Sequence, residues 1–226
     1  MSQSVDRNHG SGFPVRAEAV FRTMLEFAGA AILAALFLVV MAAVLQRYLF
    51  GGGFVWSDEL AIWLHLALIA VGAPLAVTGT LAMRLDVLVR LLPAIPRRVA
   101  SILADAIAFH GAFVLAAGGA NVALLVGGHS TVLGLPEALR FAVFACGGGL
   151  TIIALFLRAG LERGWAGAVA ALVLGGGCYG LAQLSFDLFP TPSLVAALVA
   201  GVGLLLGVPL PFALLAGVSL TGPFGG

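Results

Sequence analysis

Apolar residues run nearly unbroken for about twenty positions at a time, and polar residues gather in the short gaps between the runs. Six runs stand out, at approximately 24–46, 59–81, 99–126, 138–157, 165–186 and 193–221. Each is long enough to cross a hydrocarbon core of about 30 Å as a helix. A helix satisfies its own backbone amides in lipid, and no run shows the ten-residue alternation of a barrel strand. The pattern therefore predicts an all-α, polytopic membrane helix bundle. Gly147–Gly149 and Gly175–Gly177 fall inside runs, where small residues let spanning helices approach closely. The first twenty residues are polar and the first run lacks a small-residue cleavage site, so it is read as a retained helix rather than a removed signal.

Composition agrees. Of 226 residues, 62% are hydrophobic and 9% charged, whereas soluble domains carry about 25% charged residues. The lipid bilayer is the expected solvent. A net charge of +1 gives no affinity for nucleic acid. Cys146 and Cys178 lie within apolar runs, as small hydrophobes rather than a disulfide framework, and no Cys/His metal spacing occurs.

Every basic residue is arginine, and their distribution orients the chain. Arg7, Arg16, Arg22, Arg84, Arg90, Arg97, Arg98, Arg158 and Arg163 fall on one side of an alternating topology, and only Arg47 and Arg140 on the other. Nine against two places the N-terminus and the 82–98 loop in the cytoplasm. Six spans would return the C-terminus to the same side. Within the loop, Asp86, Arg90 and Arg97 recur at near-helical spacing among leucines, a pattern for a short interfacial helix kinked or ended by Pro93 and Pro96. The alternative is an irregular basic loop.

The opposite turn reads RYLFGGGFVWSDEL, residues 47–60. Gly51–Gly53 allow a tight reversal. Ser57 is placed to N-cap the second helix, with Asp58 and Glu59 in its first turn, where the helix dipole favours negative charge. Tyr48 and Trp56 belong to the interfacial aromatic belt. Arg47 closes the first helix within reach of the carboxylates. Capping, anchoring and one ion pair account for these polar residues without catalysis.

Taken in order, Arg47-Tyr48-x-Phe50, Trp56-Ser57-Asp58-Glu59-Leu60 and Arg84-Leu85-Asp86-Val87-Leu88 resemble the small membrane subunit of tripartite ATP-independent periplasmic (TRAP) transporters. Ala82 stands where that family usually has histidine, and Glu137, after Leu135-Pro136, where an aromatic is common. The resemblance covers about residues 20–160. Residues 201–220, GVGLLLGVPLPFALLAGVSL, are similar to the opening helix of the family's large membrane subunit, where Gly-Val-Pro precedes Phe-Ala. The resemblance thus implies a cytoplasmic segment at 1–23, a four-helix small-subunit domain at 24–160, a linker helix and outer turn at 161–192, and a first large-subunit-like helix at 193–226. It leaves open a truncated fusion or a remainder on another chain.

The resemblance implies a bacterial inner-membrane component of a sodium-driven secondary transporter for organic acids such as carboxylates. Its partners would be a large TRAP membrane subunit and a periplasmic substrate-binding protein, with substrate and sodium held by the large subunit. Arg47, Tyr48, Trp56, Ser57, Asp58, Glu59, Arg84 and Asp86 are then subunit-interface and structural residues. No catalytic, cofactor or metal residue is expected, since no nucleophile elbow, phosphate loop or metal-binding helix motif occurs. His65, Asp105 and His110 lie inside runs, where ionisable residues are costly. The reading is Asp105 wetted or paired with Arg97 or Arg98, and the histidines as interhelical hydrogen-bonding contacts. The alternative is a membrane-anchor or haem-binding subunit of an enzyme complex, with His65 and His110 as haem ligands.

Overall fold

A computed structural model describes residues 13–78, 93–184 and 192–219. It contains seven helices among the described residues: α1 (Phe13–Phe50), α2 (Ser57–Thr78), α3 (Ala94–Leu125), α4 (Glu137–Arg163), α5 (Trp165–Leu184), α6 (Pro192–Leu205) and α7 (Leu210–Ser219). The first five are long and apolar enough to cross a membrane, so the all-α membrane bundle expected from the runs is what forms.

α3 and α4 form the centre. α2 packs on the flank of α4, and α1 on α2. α5 lies against α3 and α4, and α7 crosses α3. Lipid tails are as apolar as leucine, so close van der Waals contact, rather than hydrophobic exclusion, must hold such helices together. The contacts are built accordingly. A Cβ at Gly147 would lie 2.8 Å from Ala70 Cα on α2, and one at Gly148 would lie 2.4 Å from Ala116 N on α3. One at Gly111 would meet the Phe212 carbonyl of α7 at 2.8 Å. The buried core is mostly alanine, with Phe109, Leu155, Val77, Val208 and Phe212 as its larger members.

α1 starts at Phe13, well before the expected 24, and its 38 residues extend about 57 Å. That exceeds the hydrocarbon thickness, so its first turns project beyond the apolar layer, held partly by the Arg22–Glu26 pair at 2.7 Å. α3 starts at Ala94, with Pro93 preceding it and Pro96 in its first turn. Those prolines open the third helix, where first-turn amides have no helical partner to lose. The rest of that expected interfacial helix, with Arg84 and Asp86, lies outside the described residues. Between α4 and α5 a single residue suffices: Gly164 at φ +87°, its N–H donating to Gly160 O at 3.0 Å.

The sixth expected span, 193–221, is not a span. The helix stops at Leu205 and restarts at Leu210. Gly207 takes φ +85°; its N–H donates to Leu204 O, and the N–H of Val208 reaches back to Gly203 O at 2.9 Å. This is a Schellman end, and Pro209, which cannot extend the helix, stands two residues beyond its last turn. Pro209 is buried. Its carbonyl accepts the first bonds of α7, from Phe212 and Ala213. α7 then folds back along α6, bringing Gly203 against Ala213 and Gly217 against Ala196. Over the described residues, at 14 and 10 residues, the two helices rise only about 21 and 15 Å, short of a crossing.

Candidate functional site

The outer turn brings most of the sequence-predicted residues together, with different partners from those expected. Trp56 O accepts the first helical bond, from Leu60 N at 3.0 Å, so Trp56 holds the N-cap position and Ser57 the first helical one. Ser57 is buried, and its hydroxyl donates backward to Phe54 O at 2.7 Å. It closes the turn rather than capping α2. Phe54 and Trp56 pack their rings at 5.2 Å.

Glu59 reaches across to the loop between α3 and α4. Its Oε2 accepts from Val132 N at 3.0 Å and Leu133 N at 3.2 Å. That loop is already tied to itself: Ser130 N donates to Leu135 O at 2.7 Å, Leu135 N to Ser130 Oγ at 3.2 Å, and Glu137 N to Gly128 O at 3.1 Å. At the start of α4, Arg140 pairs with Glu137 at 3.1 Å and lies over the Trp63 ring at 5.5 Å from its centroid. One carboxylate thus fastens the two outer loops into one platform, since charge-assisted bonds to backbone amides are stronger than neutral ones.

Arg47, Tyr48, Ser57 and Asp58 line an adjoining crevice of about 340 Å³. Among the described residues Arg47 makes no ion pair with Asp58 or Glu59. Arg47, Asp58 and Tyr48 are exposed, and Trp56 is 39% exposed.

A second polar cluster, which sequence reading missed as a unit, closes the other end of the bundle. Arg163, at the last turn of α4, donates through Nη2 to Asp105 Oδ2 and through Nη1 to Ser101 O at 3.0 Å, both on α3. One turn earlier Arg158 donates through Nε to Glu162 Oε1 at 2.8 Å and through Nη1 to Val77 O at 2.9 Å. Arg158 thereby ties α4 to the backbone of α2. The side chains of Asp105, Arg158 and Arg163 are 8%, 11% and 16% exposed. Asp105's described partner is therefore Arg163 from the next helix. The i, i+4 spacing of Arg158 and Glu162 was visible in the sequence; the carbonyl of Val77 was not.

The histidines are not brought together. His110 is buried on α3, with Nε2 2.6 Å from Ser219 Oγ of α7, an interhelical hydrogen bond. His65 is exposed on α2, which packs on α1 and α4. Cys146 and Cys178 are free and exposed.

The family model described as "Tripartite ATP-independent periplasmic transporters, DctQ component" matches residues 36–163. No curated protein matches the chain. The matched stretch runs from the middle of α1 to the end of α4, and so contains both the outer platform and the arginine cluster.

Proposed function

Because the chain belongs to the DctQ component family of tripartite ATP-independent periplasmic transporters, we propose that it is the scaffold of a sodium-driven, binding-protein-dependent carrier of organic acids such as carboxylates. The family makes it a small membrane component of a tripartite ATP-independent periplasmic transporter, a multi-pass bundle of the inner membrane. In this reading its partners are a large membrane subunit, which holds substrate and sodium, and a periplasmic binding protein that meets the outer platform. The chain performs no catalysis. The nine-to-two arginine distribution supports a cytoplasmic N-terminus. The resemblance of 193–226 to the start of the large subunit supports reading the C-terminal segment as large-subunit-like.

The observation that carries the scaffold role is how the polar groups of the matched region are used. Glu59, Arg158, Arg163 and Asp105 hold helices and loops of this chain to one another. Reconstitution into liposomes with a sodium gradient tests the reading. Uptake of a carboxylate is expected when the large subunit and binding protein are supplied, and none from this chain alone. Sodium-dependent uptake by the chain alone would overturn the scaffold role.

A further inference from the structure

α1 and α2 pack side by side at Gly29, where a Cβ would meet Val71 and Leu75 at ordinary contact distance. Nearer the turn that joins them, the crevice of about 340 Å³ lies between them. That volume is at the lower end of small-molecule sites, enough for a headgroup rather than a whole lipid. Its polar side chains are Arg47, Tyr48, Ser57 and Asp58. Ser57 is committed to Phe54 O, and neighbouring Glu59 to the 132–133 amides. The side chains of Arg47, Tyr48 and Asp58 make no hydrogen bond or ion pair among the described residues. One cation and one anion therefore share a crevice without pairing.

Their depth is set by the apolar runs. The run of α1 ends just before Arg47, and that of α2 begins just after Asp58, so both charges stand at the boundary between hydrocarbon and water. Toward the bilayer centre the wall on α1 is Val40, Ala43 and Val44, repeating at helical spacing. From Val40 to Arg47 the helix rises about 10 Å. A ligand of single charge would leave the other charge of the crevice uncompensated where water is scarce. A molecule with both charges and a hydrocarbon end meets every wall. A phosphate accepts two parallel N–H bonds from a guanidinium, and a primary ammonium donates to a carboxylate. A quaternary ammonium has no N–H to donate.

We propose that this crevice seats the headgroup of a zwitterionic phospholipid with a primary ammonium, as in phosphatidylethanolamine. Arg47 holds the phosphate, Asp58 holds the ammonium, and Val40, Ala43 and Val44 line the descent of an acyl chain. The lipid fills the gap between the outer ends of α1 and α2. Its phosphate takes two of the five guanidinium N–H groups, so Arg47 keeps donors for a neighbouring chain. The assignment does not depend on what the transporter carries.

Native mass spectrometry of the full chain in detergent, titrated separately with phosphatidylethanolamine, phosphatidylcholine and phosphatidylglycerol, tests this. Phosphatidylethanolamine is expected to bind most tightly and phosphatidylglycerol least, since it offers Asp58 no cation. Arg47→Gln and Asp58→Asn should each weaken phosphatidylethanolamine binding by about tenfold or more, the effect of losing one charge-assisted hydrogen bond. Asp58→Asn should also close the gap between phosphatidylglycerol and phosphatidylethanolamine, a change of preference that a merely unfolded chain would not give. Equal binding of the three lipids, phosphatidylcholine matching phosphatidylethanolamine, or unaltered phosphatidylethanolamine binding in either variant would each overturn the assignment.

Discussion

At a helix crossing, glycine contributes by what it lacks. The Gly147–Gly149 run shows this residue by residue: Cβ atoms at the first two would strike the backbones of Ala70 and Ala116, while one at Gly149 would meet nothing within 4 Å. Three identical residues therefore have different consequences. Gly148→Ala forces α3 and α4 apart, an overpacking that costs about 1–3 kcal/mol. Gly149→Ala is expected to be silent, and the gain in helix propensity could even stabilise slightly. Thermal unfolding of the two variants side by side checks this; equal losses of Tm would refute the close approach of α4 on Ala116. The ionic residues act with the same local specificity. Asp105 and Arg163 are mostly buried and hydrogen-bonded to each other, and a buried ion is tolerated in such a place only with its partner.

At the scale of elements, the hairpin of α6 and α7 is the feature that most changes the architecture. Gly203→Cys and Ala213→Cys, made after replacing Cys146 and Cys178, should form a disulfide on mild oxidation, because a Cβ at Gly203 lies 3.2 Å from Ala213 Cβ. An unbroken helix would separate those positions by about 15 Å, beyond the reach of any disulfide. Failure to cross-link in a folded protein would restore the straight span. The five long helices were legible because lipid forces one solution on a twenty-residue apolar run. The hairpin was not, since run length counts apolar residues and both of its arms are apolar. Its signal was Gly207 followed by Pro209, a helix stop that reads plainly once taken as a C-terminal motif. The outer turn was legible in its location but not in its bonds. Ser57 and Glu59 have the right types for a cap and a dipole partner, yet Phe54 O and the 132–133 amides compete for them, and only tertiary contact decides.

For the whole molecule, what remains unpaired matters as much as what is satisfied. The outer platform uses Glu59 internally and leaves Arg47 and Asp58 exposed along one crevice, beside Tyr48, which is 81% exposed. α1 packs chiefly on α2, and its other side presents Phe27, Phe37 and Leu38 outward. Lipid accepts such apolar side chains without a partner. It does not accept an unpaired arginine so readily, and aromatic residues and arginine are the types enriched where proteins meet. If the chain scaffolds a larger transporter, Arg47 is then a contact to a partner subunit rather than a brace within this chain. Arg47→Ala should leave the Tm of the isolated chain nearly unchanged, because no internal ion pair is lost. It should lower the amount of complex recovered with the large subunit, and leave the KM for transport by the assembled fraction as it was. A raised KM with normal recovery would instead place Arg47 on the substrate's path, and a large loss of Tm in the isolated chain would mean that it braces α1 against α2 after all.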